Sequence, residues 1–189
     1  MTNIKEQNPE THQIQPVIKL LNQGEIEKAI KEVENLIIDF PNSAILFNIR
    51  GACFKVSNNL EKAIESFKKA VTLKPDFYEA FYNLGVIEKQ LGQIDSALKN
   101  YKKAIEIKPS YPEAHNNLGN IFLQLREYDE AINHFEWAVA FKPDFFEAYN
   151  NLGLAQRELD QINKSIDNFK KAISLNPEYT PAYLNLGQA

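Results

Sequence analysis

The sequence has almost none of the residues from which a disulfide framework or a thiolate metal site is built. A single cysteine, Cys53, stands in 189 residues, which excludes an internal disulfide and any cysteine-rich zinc site. Long apolar runs are missing too, since no stretch approaches the roughly 18 residues that a membrane-spanning helix needs. The opening "MTNIKEQNPETHQ" has neither the basic start nor the apolar core of a secretory signal. The expectation is a soluble, cytoplasmic chain in a reducing compartment, with no membrane partner. Charge of one sign is also scarce: 21 basic residues against 25 acidic ones leave a net charge of −4. That balance offers no general pull on phosphate backbones, so nucleic acid is not expected as a partner.

Motifs that carry chemistry are absent as well. There is no glycine-rich phosphate loop, no His/Cys metal cluster and no nucleophile motif, so no cofactor, metal or catalytic residue is expected in this chain. The histidines His12, His115 and His134 read as scattered and non-catalytic. Cys53 reads as a small buried hydrophobe, and Trp137 as partly exposed on a helix. Lysine pairs at 68–69, 102–103 and 170–171 read as a solvated outer face. The sequon "NKS" at Asn163 falls inside a predicted helix and reads as chance.

What is present is repetition. The phrase "EAYNNLG" from Glu147 returns as "EAFYNLG" from Glu79, "EAHNNLG" from Glu113 and "PAYLNLG" from Pro181, always 34 residues apart. The register gives repeats 10–43, 44–77, 78–111, 112–145 and 146–179 and a partial sixth at 180–189, after a flexible lead at 1–9. Gly recurs at 51, 85, 119, 153 and 187, and Pro at 41, 75, 109, 143 and 177. Small residues form a second series: Ala29, Ala63, Ala97, Ala131 and Ser165, then Ala70, Ala104, Ala138 and Ala172. Small side chains at the eighth, twentieth and twenty-seventh positions imply two closely packed antiparallel helices per repeat. The proline at position thirty-two ends the second helix, lacking an N–H and restricting the residue before it. Asp76 with Glu79, Ser110 with Glu113, and Asp144 with Glu147 have the spacing of a capping box at the start of the next helix.

On these residues the chain resembles the tetratricopeptide repeat family. Repeat four matches its pattern with His115, Leu118, Gly119, Phe122, Ala131, Phe135, Ala138 and Pro143. Repeat two does so with Phe47, Gly51, Phe54, Ala63, Phe67, Ala70 and Pro75. Departures are Arg50 for Leu, Glu88 and Gln156 for the second aromatic, and Ser165 for Ala. Repeat one keeps Ala29 and Pro41 but has Pro16 and Val17 where Leu-Gly is expected, as befits an end repeat. The resemblance implies an all-α, right-handed superhelical solenoid of antiparallel hairpins that binds a peptide or protein segment on its concave side.

A helical wheel at 100° per residue puts positions 3, 4, 7, 8, 10, 11 and 14 of the first helix on the packed face and leaves 2, 5, 6, 9, 12 and 13 opposite. From that second face the candidate ligand-binding residues are Asn48; Tyr82, Asn83 and Lys89; Asn116, Asn117, Asn120 and Gln124; Asn150, Asn151 and Arg157; and Asn185. Asn83, Asn117, Asn151 and Asn185 share position six and are expected to stack as a ladder. Primary amides both donate and accept, which suits the main chain of an extended peptide. The arrangement resembles the asparagine ladder in the repeat arm of O-linked N-acetylglucosamine transferases. An amide at this position can equally bond within its own hairpin, so two readings stand. The clamp for a chaperone's C-terminal carboxylate is disfavoured, because inner positions 2, 5 and 6 carry Glu, Asn, Tyr and Ile rather than basic residues.

Three functions remain: a protein-interaction module, the recognition arm of a larger protein-modifying transferase, or an assembly scaffold. The ending "LNLGQA", partway through a first helix, motivates the second, and its uncapped apolar end motivates self-association.

Overall fold

Each proline at position thirty-two lies two residues beyond the end of a second helix. In the computed structural model, residues 8–189 are described; the first seven residues of the expected lead lie outside them. The described residues form eleven helices and no strand: α1 (Thr11–Asn22), α2 (Ile26–Asp39), α3 (Ala44–Val56), α4 (Leu60–Leu73), α5 (Tyr78–Gln90), α6 (Ile94–Ile107), α7 (Pro112–Gln124), α8 (Tyr128–Phe141), α9 (Phe146–Glu158), α10 (Ile162–Leu175) and α11 (Thr180–Leu186). They fall into two units, 1–100 and 101–189, whose boundary lies within α6.

In the first unit α1 to α5 pack in succession, and α3 also meets α5. One core joins Ile14, Val17, Ala29, Val33, Leu46 and Cys53, and a second joins Phe47, Phe54, Phe67, Leu84 and Ile87 around Ala63, Ala70 and Ala80. Burying a phenylalanine such as Phe67 contributes about 2–3 kcal/mol. In the second unit α7 to α11 pack in succession, and α9 also meets both α7 and α11. Phe135, Phe169, Leu118 and Ile121 are fully buried there.

The recurrent glycine has a specific job. A Cβ added at Gly51 would lie 2.6 Å from Phe67, one at Gly119 2.6 Å from Phe135, and one at Gly153 2.6 Å from Phe169. The first helix thus brings bare backbone onto an aromatic ring of the second, and only glycine leaves room for it.

The expected capping boxes do not form at α5, α7 and α9. Their N-caps are Phe77, Tyr111 and Phe145, one residue after the expected Asp or Ser, and none makes a side-chain cap bond. An aromatic ring in that slot supplies no acceptor, which also moves Glu79, Glu113 and Glu147 to the second helical position. Glu113 instead approaches Lys142, at 3.4 Å. The reach-back half of a capping box occurs at α1, where Glu10 N–H donates to the Gln13 side chain at 2.9 Å.

Candidate functional site

The first helices bury the face that the wheel assigned to packing. Ala114, His115, Leu118, Gly119, Ile121 and Phe122 are the buried residues of α7. The opposite face carries the candidates. Asn48 on α3 is half-buried, as are Tyr82, Asn83 and Lys89 on α5, Asn116, Asn117 and Asn120 on α7, Asn151 and Arg157 on α9, and Asn185 on α11, while Gln124 is exposed. Asn150 departs from its expected place on the open face: it is 3% exposed. The cause lies 35 residues away, where the amide of Asn185 donates to Asn150 Oδ1 at 2.8 Å.

In the second unit these amides are linked. Asn185 donates to Asn150, Asn150 Nδ2 donates to Asn151 Oδ1 at 3.4 Å, and Asn151 Nδ2 donates to Asn116 Oδ1 at 3.2 Å. The expected ladder joins residues at position six; the observed bonds run instead from position six of one hairpin to position five of the hairpin before it. A straight stack would leave the position-five amides without these partners, and the diagonal relay satisfies them. Arg157 Nη1 donates to Gln188 Oε1 at 3.3 Å.

In the first unit the candidates meet a residue that the sequence had not singled out. Lys55 Nζ donates to Asn83 Oδ1 at 3.0 Å. Burial holds both Lys55 and Lys89 below the usual lysine range, because water that would stabilise the ammonium is partly excluded. Asn48 stands apart, with its Oδ1 buried and unpartnered. The usable signal for Lys55 was a basic residue at position twelve, shared with Lys89 and Arg157.

The departures from the family pattern are paired inside their own hairpins. Glu88, 7% exposed, accepts from Asn100 Nδ2 at 2.6 Å. Gln156 accepts from Asn168 Nδ2 at 2.8 Å. Both pairs join positions eleven and twenty-three. In the fourth hairpin those positions hold Phe122 and His134, whose rings stack at 5.4 Å.

His115 and His134, expected to be scattered, lie together with their Nδ1 atoms 3.1 Å apart. His12 is separate and exposed, 3.1 Å from Glu10. Burial, with smaller effects of the His115 ring and the Lys102 ammonium, pushes His134 down to about 4, and burial pushes His115 down as well. Cys53 is fully buried, and that burial raises its thiol. Trp137 is 54% exposed. No group of three or more metal-ligating side chains occurs among the described residues, and no described helix is long and apolar enough to cross a membrane.

Comparison with known proteins agrees with this geometry. A family model described as TPR repeat matches residues 54–90, 87–126 and 119–160, and one described as tetratricopeptide repeat matches 146–179. Comparison with curated proteins gives no match. Among solved structures, a crystal structure of MamA protein is 26% identical, with 90% of this chain and 93% of that chain covered and a TM-score of 0.74. MamA from Desulfovibrio magneticus RS-1 is 18% identical, with 93% and 99% covered and a TM-score of 0.76. YrrB, described as a TPR protein with an unusual peptide-binding site, is 22% identical, with 96% and 93% covered and a TM-score of 0.73.

Proposed function

The chain belongs to the tetratricopeptide repeat family, and from that premise we propose that it is a protein-interaction module whose first helices hold an extended segment of a partner protein, without chemistry of their own. Residues 10–189 form the repeat domain, and the setting is a reducing cytoplasm in which Cys53 stays a thiol. The observation that carries this reading is the amide relay. A primary amide has two N–H groups and two lone pairs. Asn151 gives one N–H to Asn116 and takes one from Asn150, which leaves capacity for the C=O and N–H of a peptide unit. Asn117 and Asn120 add polar groups to the same face of the second unit, and in the first unit Tyr82 and Asn83 do so beside the positive charge of Lys55 and Lys89. Main-chain hydrogen bonding of this kind gives affinity without strict side-chain readout.

Selection from a displayed library of random peptides, followed by titration of one selected peptide, tests the reading. Replacing Asn83, Asn117 and Asn151 together with Ala is expected to weaken binding at least tenfold while circular dichroism is unchanged. An unaltered affinity, or a library that yields no binder, would count against it.

A second reading, self-association through α11, rests on Tyr183 and Leu184, which are 48% and 62% exposed. Sedimentation over a range of concentrations decides it, since a monomer at every concentration rejects it.

A further inference from the structure

His115 and His134 occupy one small region of the fourth hairpin with several chemically connected neighbours. His115, on α7, is 6% exposed. Its Nε2 lies 2.9 Å from the carbonyl of Pro109 in the turn before α7. A carbonyl only accepts, so Nε2 carries the proton and Nδ1 carries a lone pair. The 3.1 Å contact between the two Nδ1 atoms therefore requires that His134, on α8, donate from its Nδ1–H. Both tautomers follow from one backbone oxygen.

We propose that this imidazole pair is a proton-sensitive latch: with both rings neutral it clips α8 to α7 and to the Pro109 turn, and protonation of the pair releases the Trp137–Phe141 edge of α8. The chain of contacts reaches that edge directly. His115 sits 6.4 Å from the Trp137 ring and 5.7 Å from the Phe141 ring, and Trp137 stacks on Phe141 at 5.4 Å. Ile105, Pro109, His115, Trp137 and Phe141 line a hollow of about 180 Å³. Loosening the latch opens that hollow.

Protons enter the latch at a cost that the geometry explains. The first must go to Nε2 of His134, the only free lone pair of the two rings. There it creates an imidazolium in a ring stacked on Phe122 and repelled by the Lys102 ammonium of α6. The second must go to Nδ1 of His115, which sets N–H against N–H at the 3.1 Å contact. Lys102 from α6 and His115 from α7 are the titratable groups acting on His134. Among the described residues no carboxylate from α8 or from the packed α9 acts on either ring to favour the charged form. The open state has no such restraint. Between about pH 6.5 and about pH 4 the opening equilibrium then rises by up to about tenfold per pH unit through His134, and His115 adds in the same direction.

Trp137 is the single tryptophan, so its emission reports on this hairpin alone. Between pH 7 and pH 4 the wild type is expected to show a transition steeper than a one-proton titration. The double variant H115F/H134S, which copies Phe47 and Ser66 of the second hairpin, is expected to lose it while keeping wild-type helicity at pH 7. Emission that stays flat in the wild type, or the same transition in the variant, overturns the latch. If the variant fails to fold, imidazole NMR signals of the wild type decide instead. Two rings titrating together below pH 6 support the latch, and two rings titrating independently near pH 6.5 reject it.

Discussion

The second hairpin, α3–α4, and the fourth, α7–α8, are built on the same contact and filled differently beside it. Gly51 lies against Phe67 and Gly119 against Phe135, with the same 2.6 Å clearance for an added Cβ. Beside that contact the second hairpin has Arg50, Phe54 and Ser66, and the fourth has Leu118, Phe122 and His134. In the second, Arg50 Nε donates to Ser66 Oγ at 3.0 Å, and Ser66 donates onward to the Lys62 carbonyl at 2.7 Å. In the fourth, an imidazole fills the space and takes its partner from position four. The glycine contact is a constraint of volume, which admits one solution. The neighbouring slot is a constraint of polar satisfaction, which admits any pair that completes its own bonds.

Removing the shared ring should affect both hairpins most and equally. Phe135→Ala and Phe67→Ala are each expected to cost about 3–5 kcal/mol by lost transfer energy and cavity formation, read from urea denaturation. Overfilling the same contact with Gly119→Ala should cost about 1–3 kcal/mol, and Gly119→Leu should abolish the hairpin. A clear difference between the Phe67 and Phe135 variants would break the equivalence of the two hairpins.

Acid should separate them. His134 is held at about 4 in the folded chain, against an ordinary value near 6.5. The folded state therefore binds fewer protons than the unfolded state between these values. Stability is complete above about pH 6.5, falls as the pH drops, and stops falling near pH 4, with a loss of about 1–2 kcal/mol because solvent reaches part of the ring and screens its charge. His115, also pushed down, adds in the same direction. Denaturation at pH 7.5 and pH 4.5 should show a larger loss for the wild type than for H134S, and an equal loss would contradict the assignment.

The third and fifth hairpins extend the comparison with a charged and a neutral pair. Asn100→Ala strips the short bond from the buried Glu88 carboxylate, and an ion left without its donor should cost about 3 kcal/mol. Asn168→Ala strips the neutral Gln156 and should cost about 1 kcal/mol. Equal costs in thermal or urea unfolding would mean that water replaces the lost donor at Glu88.

The 34-residue register made the hairpins, the glycine contact and the polar face legible, because each depends on residues within one repeat and on a single helical period. The corrections concern contacts and cap positions that a helical wheel of a single helix does not show. Asn150 is buried by an amide from the next repeat. The capping boxes fail because Phe77, Tyr111 and Phe145 take the cap position that an Asp or Ser was expected to fill. The histidine pair joins residues 19 apart across a hairpin, a distance at which no helical wheel places them on one face.

The turn between the two helices of each hairpin carries the smallest of these differences. Position fifteen of the repeat takes a left-handed backbone throughout: Gly24 at φ 75°, Asn58 at 58°, Gly92 at 73°, Arg126 at 61° and Asp160 at 58°. Glycine adopts this conformation without steric cost and Asn tolerates it, whereas a long side chain such as Arg is strained there. Arg126→Gly should therefore stabilise the fourth hairpin, although the gain is trimmed by the extra freedom that glycine gives the unfolded chain. The net effect should be about 0.5–1 kcal/mol, with Gly92→Arg costing the third hairpin a similar amount and Asn58→Gly changing the second hairpin least. Thermal unfolding of the three variants sets that order. If Arg126→Gly destabilises instead, the exposed Arg126 side chain contributes more to its hairpin than its backbone strain removes.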